Sequence, residues 1–550
     1  MEAPVSSIVF FSVRSRLAVI IIQFASNLIL PDHEADVFNP PVNTSSFTIL
    51  DSAVHLALGG FRRWDAVYFT HIMQYGYSYE NCAAFFPLFP WLVSSAGSLL
   101  FQLRILHFSS CILLTSVVLN FVLFVLTSFG LYKLGTTVLK DERIAYYSVL
   151  FFCINPASIF MTAPYSEVLY FCTLIYALNG LNAGAKYAAS FLIGLGVFTR
   201  SNGLVGTAFV LHSIAKSFLA SAYYLHSFHD KSNTFAFVRK ITVLGFKTAQ
   251  EVVVCTFLCV SPFAIYQYFI FLKFCESPSE IVEPSIAAYG RQLGYHLQGD
   301  KPSSWCRNQV PLSYSYIQLQ HWGVGFLEYY TLKQVPNFLL ALPIVCLSLR
   351  ACYHFLSLDH QASLHLGLWD LRALSRRRTL LYKKVDSFED EDCNGLGEVS
   401  RRGQLVESKR DDDFNNLGVP RSLQKLPSAS DTVVYAFHLL SLVIFGLLFV
   451  HIQVLTRLLC SSSPLLYWYC GSLYVFLHRT QPELNNMSKL RSGQLASKTS
   501  LVLNKLGLHF LEEIFFKWPH LSRELKCIVV YFVGYLIVGT IMFSNFLPWT

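Results

Sequence analysis

Runs of about 20 apolar residues, the length a helix needs to cross the hydrocarbon core of a bilayer, recur along almost the whole of this 550-residue chain. Candidate spans fall at 8–30, 108–132, 144–161, 165–184, 187–200, 203–219, 248–272, 336–352, 432–456, 463–478 and 527–546. Several are short, which predicts tilted, paired or partly inserted helices. The run PLFPWLVSSAGSLLF (87–101) reads either as a span or as a re-entrant helix, and that choice sets the parity of everything after it. Only 14% of residues are charged and the mean hydropathy is +0.44, whereas a soluble chain carries about 25% charged residues. These features predict one all-α polytopic membrane domain rather than several soluble ones, with no internal repeat evident. A net charge of +8 then reads as cytosolic loop bias. No basic stripe with interleaved aromatics points to nucleic acid.

Charge gives the orientation. Arg14 and Arg16 precede LAVIIIQFASNLIL, and no small-residue cleavage site follows, so the first span is expected to be a signal anchor with its N-terminus in the cytosol. The basic segments 220–247, 353–431 and 479–525 all face the cytosol if 87–101 does not cross. Loops 31–107, 273–335 and 457–462 then face the lumen, where the NTS at Asn43 is open to glycosylation. The expected organisation is a membrane catalytic module over 1–352, a cytosolic and largely disordered linker over 353–431, and C-terminal transmembrane helices over 432–550. Within the linker, 386–430 is rich in Gly, Ser and charge and poor in aromatics. Most of the 14 cysteines sit in apolar runs and read as packing residues. Cys82, Cys275 and Cys306 lie in loops and are placed to oxidise if those loops are luminal. No His/Cys cluster has metal-ligand spacing, so no metal is expected.

Charged residues in or beside spans are costly and are site candidates by default. FRRWDAVYFTHIMQYGY (61–77) sets Asp65 between Trp64 and an aromatic stripe that includes Tyr68. The spacing suits an amphipathic helix lying on the membrane surface, with Asp65 either solvated or a general base. Asp32 and Asp36 are rivals for that role. In NPASIFMTAPYSEVLY (155–170), two prolines mark a turn, and Glu167 opens the next helix as a cap or a site residue. TRSNG (199–203) places Arg200 and Asn202 between apolar helices, where an arginine either forks onto phosphate or snorkels. PLSYSYIQLQHWGVGFLEYYTLKQVPNF (311–338) carries Lys333, Gln334 and Asn337. HIQVLTR supplies His451, Gln453 and Arg457; six residues separate the histidine from the arginine, too far round for one strict helical face.

These segments, together with LPDHEADVF, CAAFFPLFP, HIQVLTRLLCSSSPLLYW and the terminal NFLPWT, closely resemble the GPI mannosyltransferase II (phosphatidylinositol-glycan class V) family. The match is collinear and leaves out only the linker near 353–431 and the segment 479–525. The resemblance implies a GT-C membrane fold with roughly 10–12 transmembrane helices and luminal loop helices, in the endoplasmic reticulum. It also implies inverting transfer of mannose from dolichyl-phosphate mannose to a mannosylated glucosaminyl-phosphatidylinositol, forming the α-1,6-linked second mannose, with no cofactor and with an accessory subunit allowed. It places the catalytic acid in the first luminal loop, here Asp65, as a single aspartate rather than a D-x-D pair. Donor phosphate then has to be met by cations, Arg200 and Lys333 being the expected ones. Trp64, Tyr68, Glu167, Asn202, Gln334, Asn337, His451, Gln453 and Arg457 are expected around the substrate. The rival readings are a GT-C mannosyltransferase with another acceptor, a transporter or lipid scramblase, and a non-catalytic subunit of the same fold.

Overall fold

The computed structural model describes residues 3–34, 37–40, 46–227, 234–276, 282–368, 429–480, 510, 514–515 and 517–549. The expectations for Asp36, for Asn43 and for linker residues 369–428 lie outside the described residues. The described chain is helical: α1 Ala3–Ile29, α2 Ile49–Leu58, α3 Asp65–Tyr75, α4 Leu88–Phe101, α5 Phe108–Leu139, α6 Glu142–Cys153, α7 Glu167–Asn182, α8 Lys186–Thr199 and α9 Thr207–Ser227. There follow α10 Thr234–Phe271, α11 Pro284–Gln292, α12 Ser313–Trp322, α13 Val335–Ser357, α14 His360–Leu364, α15 Ala429–Phe449, α16 Leu455–Cys460, α17 Pro464–Thr480 and α18 Arg523–Ser544. Among the described residues, the β-pairing is an isolated antiparallel bridge between Tyr79 and Leu297.

Seven described helices are long and apolar enough to cross a bilayer, which makes this a multi-pass membrane protein. The shorter α6, α7 and α8 form the interior, α7 packing on α5 and α8 while α6 packs on α5 and α17. Burial explains why α7 is apolar all round: its residues from Glu167 to Leu178 are nearly all inaccessible. The helix α4 has 14 residues, about 21 Å at ~1.5 Å per residue, well short of the ~30 Å hydrocarbon core. It shares that shortness with α8, which also has 14 residues, and α6, which has 12. The Asp51 carboxylate ties the start of α2 to the start of α5. It completes a capping box with Thr48 at the start of α2 and accepts the His107 N–H at 2.7 Å, where α5 begins.

Two expected spans are shorter than predicted. The helix expected over 144–161 stops at Cys153, and Ile154–Ser166 is irregular and wholly buried. Pro156 and Pro164 break the ladder there by removing donors and pushing their predecessors out of the α region. Irregular backbone is tolerated at membrane depth only when the protein satisfies it, and two polar side chains do so. Arg16 donates to the carbonyls of Ser158 (2.8 Å) and Cys153 (3.1 Å) and to the Thr162 and Ser158 hydroxyls. Asn120 donates to the carbonyls of Ala163 (2.6 Å) and Tyr165 (3.0 Å). Arg14 and Arg16 both lie within α1, as they do within the expected span 8–30. Arg16 is fully buried, with its guanidinium over the Phe124 ring. The second shortened span, expected over 432–456, ends at Phe449 and is followed by a separate short helix, α16.

Outside the bundle a smaller, aromatic-rich core joins residues 67–86 to residues around 266–317. Glu80 ties the two halves, accepting the Trp305 indole N–H at 2.6 Å and the Ser303 hydroxyl at 3.0 Å. A disulfide joins Cys275 to Cys306, whereas Cys82 is a buried free thiol. The bridge closes a loop with a sequence separation of 31, worth about 3–4 kcal/mol in the loop-closure model. A Cys275→Ser/Cys306→Ser variant is therefore expected to expose residues 282–312 to limited proteolysis in detergent at temperatures the parent resists. Equal cleavage of parent and variant would refute this.

Candidate active site

The site is assembled where four helix breaks meet. Asp65 is the first residue of α3, where the helix N-terminus favours a carboxylate. Trp64 before it has φ 55° and ψ −130°, a region that disfavours side chains and costs about 1–3 kcal/mol. That strained turn aims Trp64 and Asp65 into the same cavity. Glu167 opens α7 directly after the irregular segment, Arg200 ends α8, and Arg457 sits on α16 beyond the break after α15.

Their side chains form a chain of alternating charge. Asp65 Oδ2 lies 2.6 Å from Arg457 Nη1, which lies 3.7 Å from Glu167 Oε1, which in turn lies 2.5 Å from Arg200 Nη1. Glu167 is inaccessible, and the Arg457, Arg200 and Asp65 side chains are 16%, 18% and 26% exposed. Desolvation works against the Arg457 proton, but the charges of Asp65 and Glu167 outweigh it and hold the group above its ordinary range. The guanidinium also lies 5.6 Å from the Phe160 ring centroid and 5.5 Å from that of Tyr165.

This chain floors a cavity of about 1030 Å³. Its polar wall includes Ser166, Ser201, Asn202, His451 and Gln453; an aromatic wall holds Tyr68, Phe85, Tyr314 and Trp322; an apolar side is made by Leu204, Val205, Leu442, Phe445 and Phe449. Asn202 donates to the Ser462 hydroxyl at 3.1 Å. Tyr68 is stacked between Phe38 and Phe85, with ring centroids at 4.1 and 4.8 Å.

The cavity brings together Trp64, Asp65, Tyr68, Arg200, Asn202, His451, Gln453 and Arg457, with Glu167 directly behind the arginines. With the helix broken between α15 and α16, His451 and Arg457 both line the cavity despite their spacing. Asn337 and Gln334 stand one layer back: Asn337 donates to Gln334 and to the Tyr329 hydroxyl, which donates to Gln453 at 3.1 Å. Lys333 is exposed on the turn before α13 and does not line the cavity; Arg457 stands where a second cation was expected. Asp32 pairs with Arg63 at 2.8 Å, away from the cavity. The helix α3 is not a surface helix with one wet face. Seven of its residues are buried, and burial drops the His71 imidazole to about 3, so it stays neutral against Ser78.

Sequence reasoning missed Tyr165, Ser166, Tyr314, Trp322 and Trp549, all of which line the cavity. The first four lie inside segments already singled out, but in a chain 15% aromatic residue type does not mark which ring points inward. Trp549 is admitted by Gly539, where a Cβ would fall 2.3 Å from the indole.

A multi-pass helical membrane protein with a charged interior cavity, one side of it apolar, is the class that this fold and site define. Residues 5–550 match the family model described as Mannosyltransferase (PIG-V), and the chain belongs to that family. It is 33% identical over 543 residues to GPI alpha-1,6-mannosyltransferase 2 of Cricetulus griseus, covering 98% of this chain and 97% of the relative. The mouse protein of the same name is 34% identical over 98% of this chain and 97% of its own length, and GPI mannosyltransferase 2 of Drosophila melanogaster 28% over 98% of each. The fold also superposes loosely on the Archaeoglobus fulgidus oligosaccharyltransferase, with TM-score 0.31 and 12% identity, over 94% of this chain and 56% of that one.

Proposed function

We propose that this mannosyltransferase moves mannose from dolichyl-phosphate mannose to a GPI precursor bearing one mannose, forming the α-1,6-linked second mannose. The observation that carries the reading is the alternating chain from Asp65 to Arg200, lying under a cavity that is polar on one side and apolar on another. A carboxylate at one end suits removal of the proton from the attacking primary hydroxyl. A guanidinium at the other suits the charge that develops on the departing phosphate. In this inverting displacement the acceptor C–O bond forms as the anomeric carbon–phosphate bond breaks, the proton passes to Asp65 and the electron pair leaves with dolichyl phosphate. Arg200 and Arg457 hold the phosphate; Asn202, His451, Gln453 and the aromatic wall position the sugars.

The site is read as luminal in the endoplasmic reticulum. Supporting this, the Cys275–Cys306 bridge belongs to the loop expected there, and disulfides persist in oxidising compartments. The positive-inside rule favours the same orientation: if 87–101 does not cross, the basic segments 220–247 and 353–431 both face the cytosol.

Microsomes containing the protein, given radiolabelled dolichyl-phosphate mannose and the one-mannose precursor, are expected to yield a two-mannose lipid. A folded protein that gives no product with this acceptor but labels another ER glycolipid would refute the acceptor assignment.

A further inference from the structure

Tyr165 is the buried group that the mechanism above leaves unused. Its ring is 1% exposed and clamped by Phe160 at 5.1 Å, Phe543 at 5.8 Å and Phe69 at 6.0 Å. Its backbone carbonyl is held by Asn120. Its hydroxyl oxygen accepts the N–H of Asp65 at 3.1 Å. Among the described residues, its own proton makes no hydrogen bond, and the side chain lines the cavity. A buried donor without a partner costs free energy, and native structures rarely leave one without a reason.

We propose that Tyr165 is a further catalytic residue, whose O–H donates to the oxygen of the attacking acceptor hydroxyl. The inference rests on the mannosyl-transfer reading and deepens it. An sp³ hydroxyl oxygen has one proton and two lone pairs. With the proton given to the Asp65 carboxylate and one lone pair occupied by Tyr165, the second lone pair is left to attack the anomeric carbon. The direct link from Tyr165 to the Asp65 backbone fixes the spacing between base and donor, so a primary hydroxyl is oriented as it arrives. Tyr165 transfers no proton itself, and the displacement balances as written above.

The test compares Tyr165→Phe with the parent, both purified in detergent, using dolichyl-phosphate mannose and the one-mannose precursor. The phenylalanine keeps the ring packing and the contact with Arg457 and removes only the oxygen. The expected result is a fall in kcat/KM for the acceptor of roughly ten- to a hundredfold, the size expected for one lost hydrogen bond in a dry site, with donor KM unchanged and a slightly lower thermal midpoint, because the Asp65 N–H loses its acceptor. Unchanged acceptor kinetics would overturn the proposal, as would an equal rise in donor KM. Should the phenylalanine variant misfold, 4-aminophenylalanine at 165 serves, since its ring N–H keeps a donor at the same place. Acceptor kcat/KM within about tenfold of the parent is expected, and loss of transfer by the folded variant would overturn the proposal. Absence of product from the parent would instead remove the mannosyl-transfer reading itself.

Discussion

Replacing Asp65 with asparagine is expected to lower kcat by about 10²- to 10⁴-fold, the range for loss of a general base. The substitution is nearly isosteric, and the Asp65 N–H, which donates to Tyr165, is untouched, so the start of α3 stays in place. What disappears is the proposed proton acceptor and the ion pair with Arg457 at 2.6 Å. The second loss gives a diagnostic sign. Arg457 no longer shares its charge with Asp65 and is freer to meet an incoming phosphate, so donor KM is expected to fall while kcat collapses. Steady-state kinetics with both substrates varied, on protein whose thermal midpoint matches the parent, checks both parts. A kcat within threefold of the parent would remove Asp65 from the chemistry. A rise in donor KM would point instead to general disruption of the cavity.

How far the sequence revealed this site depends on what each residue needed from the fold. Asp65, Arg200 and Glu167 were legible because ionisable groups beside apolar helices are expensive and stand out. Their partnership was not, because it depends on three helix breaks facing one another across the bundle. Arg457 illustrates the difference. A continuous helix over 432–456 separates it from His451, and only the stop at Phe449 turns both inward. Arg16 fell inside the expected span 8–30 but did not stand out as a partner, because positive charge near an N-terminal apolar run usually flanks the membrane. Here it is held inside by the Ser158 and Cys153 carbonyls of the irregular segment that contains both prolines. Lys333 stands apart for a different reason: it is exposed and lies outside the cavity lining. The apolar runs themselves gave the helical class directly, since their lengths answer to bilayer thickness rather than to tertiary detail.

Arg457→Gln is expected to be the most damaging single change at the site. Glutamine cannot neutralise two carboxylates, so Asp65 and Glu167 would face each other across a cavity in which Glu167 has no accessible surface. Removing one partner from a buried ionic cluster typically costs about 3–5 kcal/mol, and here the orphaned Glu167 retains only Arg200. The expected outcome is a thermal midpoint lowered by several degrees together with loss of transfer. Glutamine has no charge to gain or lose, and the uncompensated groups left behind are carboxylates, so the stability defect is expected to ease as the pH falls and to persist as it rises. Adding Glu167→Gln removes the uncompensated charge, so the double variant should regain stability without regaining activity. That split separates the two roles of the guanidinium: balancing charge needs only neutrality, whereas meeting a phosphate needs a cation. Recovery of both stability and turnover in the double variant would show that Arg457 only balances Glu167, and would leave Arg200 as the sole phosphate partner.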